Sequence, residues 1–174
     1  PEGRHLSIQS ARPGDKIIVS GTLGDHGIAI MSVREGIEFE TVLESDSASL
    51  ADLTDVMLRA CPTIRCMRDP TRGGVSSSMN ELAAASGVGV ELEEAALPSR
   101  REVKAACEML GLDILYVANE GKLLAVVPAE DAPGLLAVMR EHPLGKNAAI
   151  IGEIVDDHAG MVILRSGIGG ERVV

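Results

Sequence analysis

Apolar positions along the chain recur with two periods, and each period predicts an element. Lys16 to Ser20, introduced by Pro13-Gly14-Asp15 and closed by Gly21, has the length and β-branched content of a short strand. Ile28 to Val33 suits a short helix beginning at Asp25, with Asp25 as its cap. From Asp46, with Ser47 or a neighbour as cap, Leu50, Leu53, Met57 and Cys61 share one helical stripe, and Pro62 ends it. Ile64 to Met67 reads as a strand. Val75, Met79, Leu82, Ala83 and Ser86 return to helical spacing, with Gly87 as the stop. Val88 to Leu92 alternates as a strand does.

The second half repeats these signals. Ser99-Arg100-Arg101-Glu102 fits a capping box, followed by the stripe Val103, Ala106, Cys107 and Leu110 and the exit Gly111. Leu123 to Val127 is a continuous apolar strand. Pro133 to Glu141 is a proline-started helix broken by His142-Pro143-Leu144-Gly145. Ala148 to Val155 and Met161 to Arg165 flank the turn Asp156 to Gly160 and predict a hairpin. About six strands and four or five helices in mixed order predict an α/β sandwich, a mixed β-sheet covered by helices.

Polar, glycine-rich residues concentrate in three loops bordering predicted strands: Gly24 to Gly27, Arg68 to Gly74 and Asn119 to Gly121. Loops at strand ends gather at one edge of a sheet, so a shared site is expected. Arg68 and Arg72 suit bidentate binding of phosphate or carboxylate, with the Thr71 hydroxyl and the Gly73 and Gly74 amides completing a cradle. An internal Arg68–Asp69 ion pair stiffening a turn is the competing reading. Asn119-Glu120-Gly121 is either a plain turn or the presentation of a carboxylate at the mouth of a site. His26 alone reads as a surface or cap residue. No Walker A loop, nucleophile elbow or His-Glu-x-x-His pair is present.

Composition narrows the partners. The 16 Lys and Arg against 26 Asp and Glu leave a formal charge of −10, which repels nucleic acid and anionic membranes. Phe39 and Tyr116 are the only aromatic residues, so no platform for base stacking exists. Cys61, Cys66 and Cys107 lack zinc spacing and read as buried hydrophobes of a reduced, cytoplasmic protein. No apolar run approaches membrane-spanning length, and no metal site is expected. A chain running from Pro1 to Val174 is expected to be one domain, 1–174, of something longer.

Several stretches together resemble one family. Val19-Ser20-Gly21-Thr22-Leu23-Gly24-Asp25-His26-Gly27, Met31-Ser32-Val33-Arg34-Glu35-Gly36, Met67 to Gly74 and Val117 to Leu123 look like the C-terminal domain of the HypE hydrogenase maturation factors. Ala105 to Asp113 and His142 to Gly145 fit the same family, and the match follows its order through nearly all of the chain. The resemblance implies the aminoimidazole ribonucleotide synthetase (PurM) superfamily, with selenophosphate synthetase and thiamine-monophosphate kinase as relatives. It implies an N-terminal domain, absent here, that dimerises and carries most of the ATP and magnesium ligands, and a C-terminal domain that closes over the site. HypE-like proteins use ATP to dehydrate a carbamoyl group on a C-terminal cysteine to thiocyanate, which supplies the cyanide ligands of [NiFe]-hydrogenase.

By this resemblance the intact protein is a Mg-ATP-dependent carbamoyl dehydratase and homodimer that works with a HypF-type carbamoyltransferase and a HypC/HypD-type scaffold. The chain ends at Glu171-Arg172-Val173-Val174 without the carrier cysteine, so it is expected to bind no cofactor and to be inactive alone. Glu120 becomes the candidate acid–base group near the thiocarboxamide. His26 and Asp25 are candidates to orient the substrate, and Arg68, Asp69, Thr71, Arg72, Gly73, Gly74 and Asn119 to contact phosphate or fix the loop. The closing domain of another ATP-using relative, thiamine-monophosphate-kinase-like or selenophosphate-synthetase-like, is the alternative enzyme. A docking module for maturation partners is the alternative outside catalysis.

Overall fold

The computed structural model describes residues 5–35, 44–167 and 169–174. Gly36 of the resembling motif and Phe39 lie outside the described residues. The strands are β1 (Lys16–Val19), β2 (Cys66–Arg68), β3 (Gly89–Glu93), β4 (Leu124–Val127), β5 (Ala149–Val155), β6 (Val162–Arg165) and β7 (Glu171–Val173). They form one sheet in the order β2-β4-β1-β5-β3-β6-β7. Among the described residues five α-helices accompany it: α1 (Asp25–Glu35), α2 (Ala51–Ala60), α3 (Gly74–Ser86), α4 (Arg101–Leu110) and α5 (Ala132–Glu141). The mixed sheet under helices is the architecture expected from the sequence, with one more strand than counted there.

Successive strand residues feed opposite faces. Ile17 and Val19 of β1, with Leu124 and Val126 of β4, pack into a core that includes Val75, Met79 and Leu82 of α3. Ile18, Ala125 and Val127 face the other way, onto Leu53 and Met57 of α2 and Leu135 and Met139 of α5. Burial on both faces explains why β1 and β4 read as unbroken apolar runs. A third cluster joins Ile28 of α1 to Val103, Ala106 and Cys107 of α4 and to Val117.

Three local expectations are corrected. β5 and β6 are not a hairpin, because β3 lies between them, antiparallel to β5 and parallel to β6. The intervening turn crosses the start of β3, where Gly160 N–H donates to the Val88 carbonyl at 2.8 Å and Val90 N–H to the Met161 carbonyl at 3.0 Å. The helix expected from Asp46 begins at Ala51 after the cap residue Leu50, and Asp46 instead pairs with Lys122. Ser99 caps nothing by its side chain; α4 follows Arg100, which supplies no side-chain cap hydrogen bond either. Gly111 does end α4 in the left-handed conformation, as Gly87 ends α3.

All three cysteines are free and buried. Burial pushes the Cys66 thiol up to about 11 from 9.0, with Arg68 opposing and Asp15 reinforcing the shift. Burial, then Asp113 and Glu108, raises Cys107 as well. Because the folded pKa of Cys66 lies above its unfolded value, its contribution to stability is full below about pH 9 and is lost as pH rises toward 11. At ~1.4 kcal/mol per pKa unit, urea titrations should show a loss on the order of 2 kcal/mol across that window. Cys66→Ala should flatten the slope; an unchanged slope would place the titration elsewhere.

Candidate functional site

The sheet order explains why the three polar loops meet. β4 lies between β1 and β2 and runs antiparallel to both, so Val19 at the end of β1 and Arg68 at the end of β2 both align with Leu124 at the start of β4. The loops leaving β1 and β2 and the loop entering β4 therefore leave the same edge of the sheet.

Asn119 joins them chemically. Its Oδ1 accepts from Gly24 N–H at 2.8 Å, and its Nδ2 donates to the Pro70 carbonyl at 3.3 Å and the Val117 carbonyl at 2.8 Å. Its own backbone N–H also donates to Pro70, at 3.0 Å, and Gly27 N–H donates to the Ala118 carbonyl at 3.1 Å. Asn119 is 1% exposed, so it faces loops and not solvent. This buried amide ties one loop to the other two.

The expected site residues separate into enclosed and open groups. Asp25, 2% exposed, sits in the first turn of α1, where a carboxylate suits the helix dipole. Its Oδ2 accepts from the Thr22 hydroxyl, and its Oδ1 lies 3.1 Å from Arg100 Nε without the alignment of a hydrogen bond. His26 is half-buried, with Nδ1 2.8 Å from Ser45 Oγ. Glu120 is half-buried on the same edge and makes no hydrogen bond or ion pair with a described residue.

In the second loop, the competing Arg68–Asp69 pair does not form. Arg68 reaches Glu81 on α3, and exposed Asp69 accepts from the Thr71 hydroxyl at 3.3 Å. Arg68 is thereby anchored along α3, because Glu81 lies within its reach on the helix that the loop leads into. Arg72 is exposed and pairs with no described residue. Gly73 stands left-handed, at φ 74°, immediately before α3, and Gly74 is the first residue of that helix. The helix start and Arg72 supply positive potential to the second loop, whose Pro70 carbonyl Asn119 engages.

Sequence reading missed the members that hold the site from behind. Lys122 and Asp46 form an ion pair with side chains 9% and 14% exposed. Ser20 exchanges two hydrogen bonds with Leu123, its N–H to the Leu123 carbonyl and its Oγ from the Leu123 N–H, both at 3.0 Å. The only advance signal was Lys122 following Asn-Glu-Gly; nothing local ties it to Asp46. Beside the loops, His26, Ile30, Met31, Tyr116 and Ala118 line an open cleft of about 390 Å³. Among the described residues no three His, Cys, Asp or Glu side chains form a metal cluster, and no helix is long and apolar enough to cross a membrane.

Known proteins share this fold. The profile of the family described as AIR synthase related protein, C-terminal domain, matches residues 12–165. The carbamoyl dehydratase HypE of Azotobacter vinelandii is 56% identical over all of this chain, which spans 51% of that relative. HypE in the crystal structure of a HypE–HypF complex superposes with a TM-score of 0.95 at 43% identity, over 99% of this chain and 56% of that one. HypE crystallised in complex with ATP gives 0.92 at 42% identity, over 97% of this chain and 52% of that one. The chain thus spans about half the length of the relatives it matches.

Proposed function

The chain belongs to the AIR synthase related family as its C-terminal domain, and from that premise we propose that it is the closing half of a HypE-type carbamoyl dehydratase. An N-terminal ATP-binding domain precedes it in the intact protein, and a tail ending in the carrier cysteine follows it. The observation that supports this most is the meeting of three loops at Asn119, next in sequence to a half-buried carboxylate, Glu120, that no described residue engages.

The chemistry requires such a group. Turning S–C(=O)–NH2 into S–C≡N removes the carbonyl oxygen and both amide protons, the elements of one water. Bound ATP would supply the phosphoryl group on which the carbonyl oxygen leaves as phosphate, with ADP as the other product. Glu120 takes the two protons of the amide nitrogen one after the other, releasing the first to solvent before accepting the second, the work of a general base within hydrogen-bond reach. His26, at the start of α1, orients the cysteine-bearing tail. Arg72, the Thr71 hydroxyl and the amides of Gly73 and Gly74 fit an anionic phosphoryl group. The resemblance to the family assigns the magnesium ligands to the N-terminal domain.

A HypF-type carbamoyltransferase loads the cysteine, a HypC/HypD-type scaffold receives the cyanide, and the N-terminal domains form the homodimer, all in the cytoplasm. Intact-mass measurement tests the reading. With Mg-ATP, the carbamoylated full-length protein should lose the mass of one water, while the 174-residue chain mixed with a carbamoylated tail peptide should leave it unchanged. Full-length protein that hydrolyses ATP without that loss would overturn the assignment.

A further inference from the structure

Four of the five residues from Asn119 to Leu123 are fixed by other parts of the fold. Asn119 is bonded to Gly24 and Pro70, and Leu123 to Ser20. Gly121 adopts φ +69°, and a Cβ there would overlap the Asp46 carbonyl and stand 2.8 Å from Ala48 N, so the 46–48 backbone lies directly across it. Lys122 lays its aliphatic stem across Gly21, where a Cβ would stand 2.8 Å from Lys122 Cε, and carries its ammonium to Asp46. Glu120 alone has no partner among the described residues.

The Lys122–Asp46 pair is an expensive way to gain stability. Both charges are largely withdrawn from water, and Asp46 Oδ1 is buried with no hydrogen-bond partner. Desolvation offsets most of the attraction in such a pair. What the pair does provide is placement: it clamps the 46–48 segment over Gly121, the residue after Glu120, while the Asn119 hydrogen bonds fix the residue before it.

We infer that Lys122 and Asp46 are positioning residues for Glu120, holding its carboxylate where the amide nitrogen of the substrate arrives. They touch no reacting atom. This rests on the dehydratase reading above and extends it to residues 76 positions apart in sequence. A displacement on the order of 1 Å at a reacting group lowers turnover about 10²-fold.

The test uses full-length protein in single-turnover dehydration followed by intact mass. Lys122→Met keeps the stem across Gly21 and removes the charge. Its kcat should fall about 10²-fold with KM for ATP unchanged, and Lys122→Arg, which can still reach Asp46, should recover most of the loss. In a Glu120→Gln background, Lys122→Met should cause no further loss, because its effect runs through Glu120. Asp46→Asn, an isosteric change, should reproduce the Lys122→Met result and serves if that variant does not fold. Equal losses from Lys122→Met with and without Glu120, or wild-type turnover in both pair variants, would overturn the positioning role. Wild-type turnover of Glu120→Gln by itself would instead overturn the role of Glu120.

Discussion

Replacing Asn119 with Ala is expected to lower the stability of the fold by about 3–4 kcal/mol. The side chain satisfies Gly24 N–H and the carbonyls of Pro70 and Val117 inside a packed junction. Each buried group left unsatisfied costs about 1–3 kcal/mol, and partial relaxation keeps the total below the sum. Asn119→Asp, nearly the same shape, should be no milder: it keeps an acceptor for Gly24 but sets a carboxylate against two carbonyl oxygens. Urea denaturation with an unchanged m-value measures the effect. A loss under about 1 kcal/mol would mean that the three loops are held together by something else.

Glu120→Gln should behave in the opposite way, leaving the fold intact and stopping the chemistry. No described residue depends on the carboxylate, so stability should change by no more than about 0.5 kcal/mol, the usual range for a surface substitution. The amide cannot accept a proton, and a missing general base costs about 10²–10⁴-fold in turnover. Binding of ATP by the full-length protein should be retained, since the expected phosphate contacts lie in the Arg68 to Gly74 loop. Turnover within about threefold of wild type would remove Glu120 from catalysis, that being far less than loss of a general base produces.

Much of this was legible in the residues, and what was not has identifiable physical causes. The strands over Ile17–Val19 and Leu124–Val127 were readable because burial on both faces leaves continuous apolar runs. Helices α3 and α4 were readable from their stripes and their glycine stops, although Ser99 carried a capping signal that the chain does not use. The hairpin expected from β5 and β6 failed because a turn of that composition looks the same whether or not a third strand enters between its arms. Asp46 and Ser47 look like a helix start, but a partner 76 residues away takes the aspartate, and the helix waits until Ala51.

The site was legible as three loops expected to share one sheet edge, and not in the ties that join them. Strand order decides that β4 lies between β1 and β2, and local pattern does not encode strand order. Asn119 looked like a ligand-facing residue because an asparagine in a glycine-rich turn suits either role; its 1% exposure shows it to be the tie between loops. Arg68 suits either a phosphate contact or a loop anchor, and its ion pair with Glu81 on α3 could not be read from local pattern. The likeness to HypE was legible from whole motifs, and the 56% identity to a curated HypE over all of this chain bears that resemblance out.

The central claim is that the three loops present Glu120 to a thiocarboxamide arriving on another segment of the intact protein. A crystal structure of the full-length protein with its carrier cysteine carbamoylated tests it most directly. The account predicts the amide nitrogen within about 2.6–3.2 Å of the Glu120 carboxylate, or one water away, with the Asn119 ties unchanged. A thiocarboxamide seated away from these loops, with Glu120 turned to solvent, would contradict it.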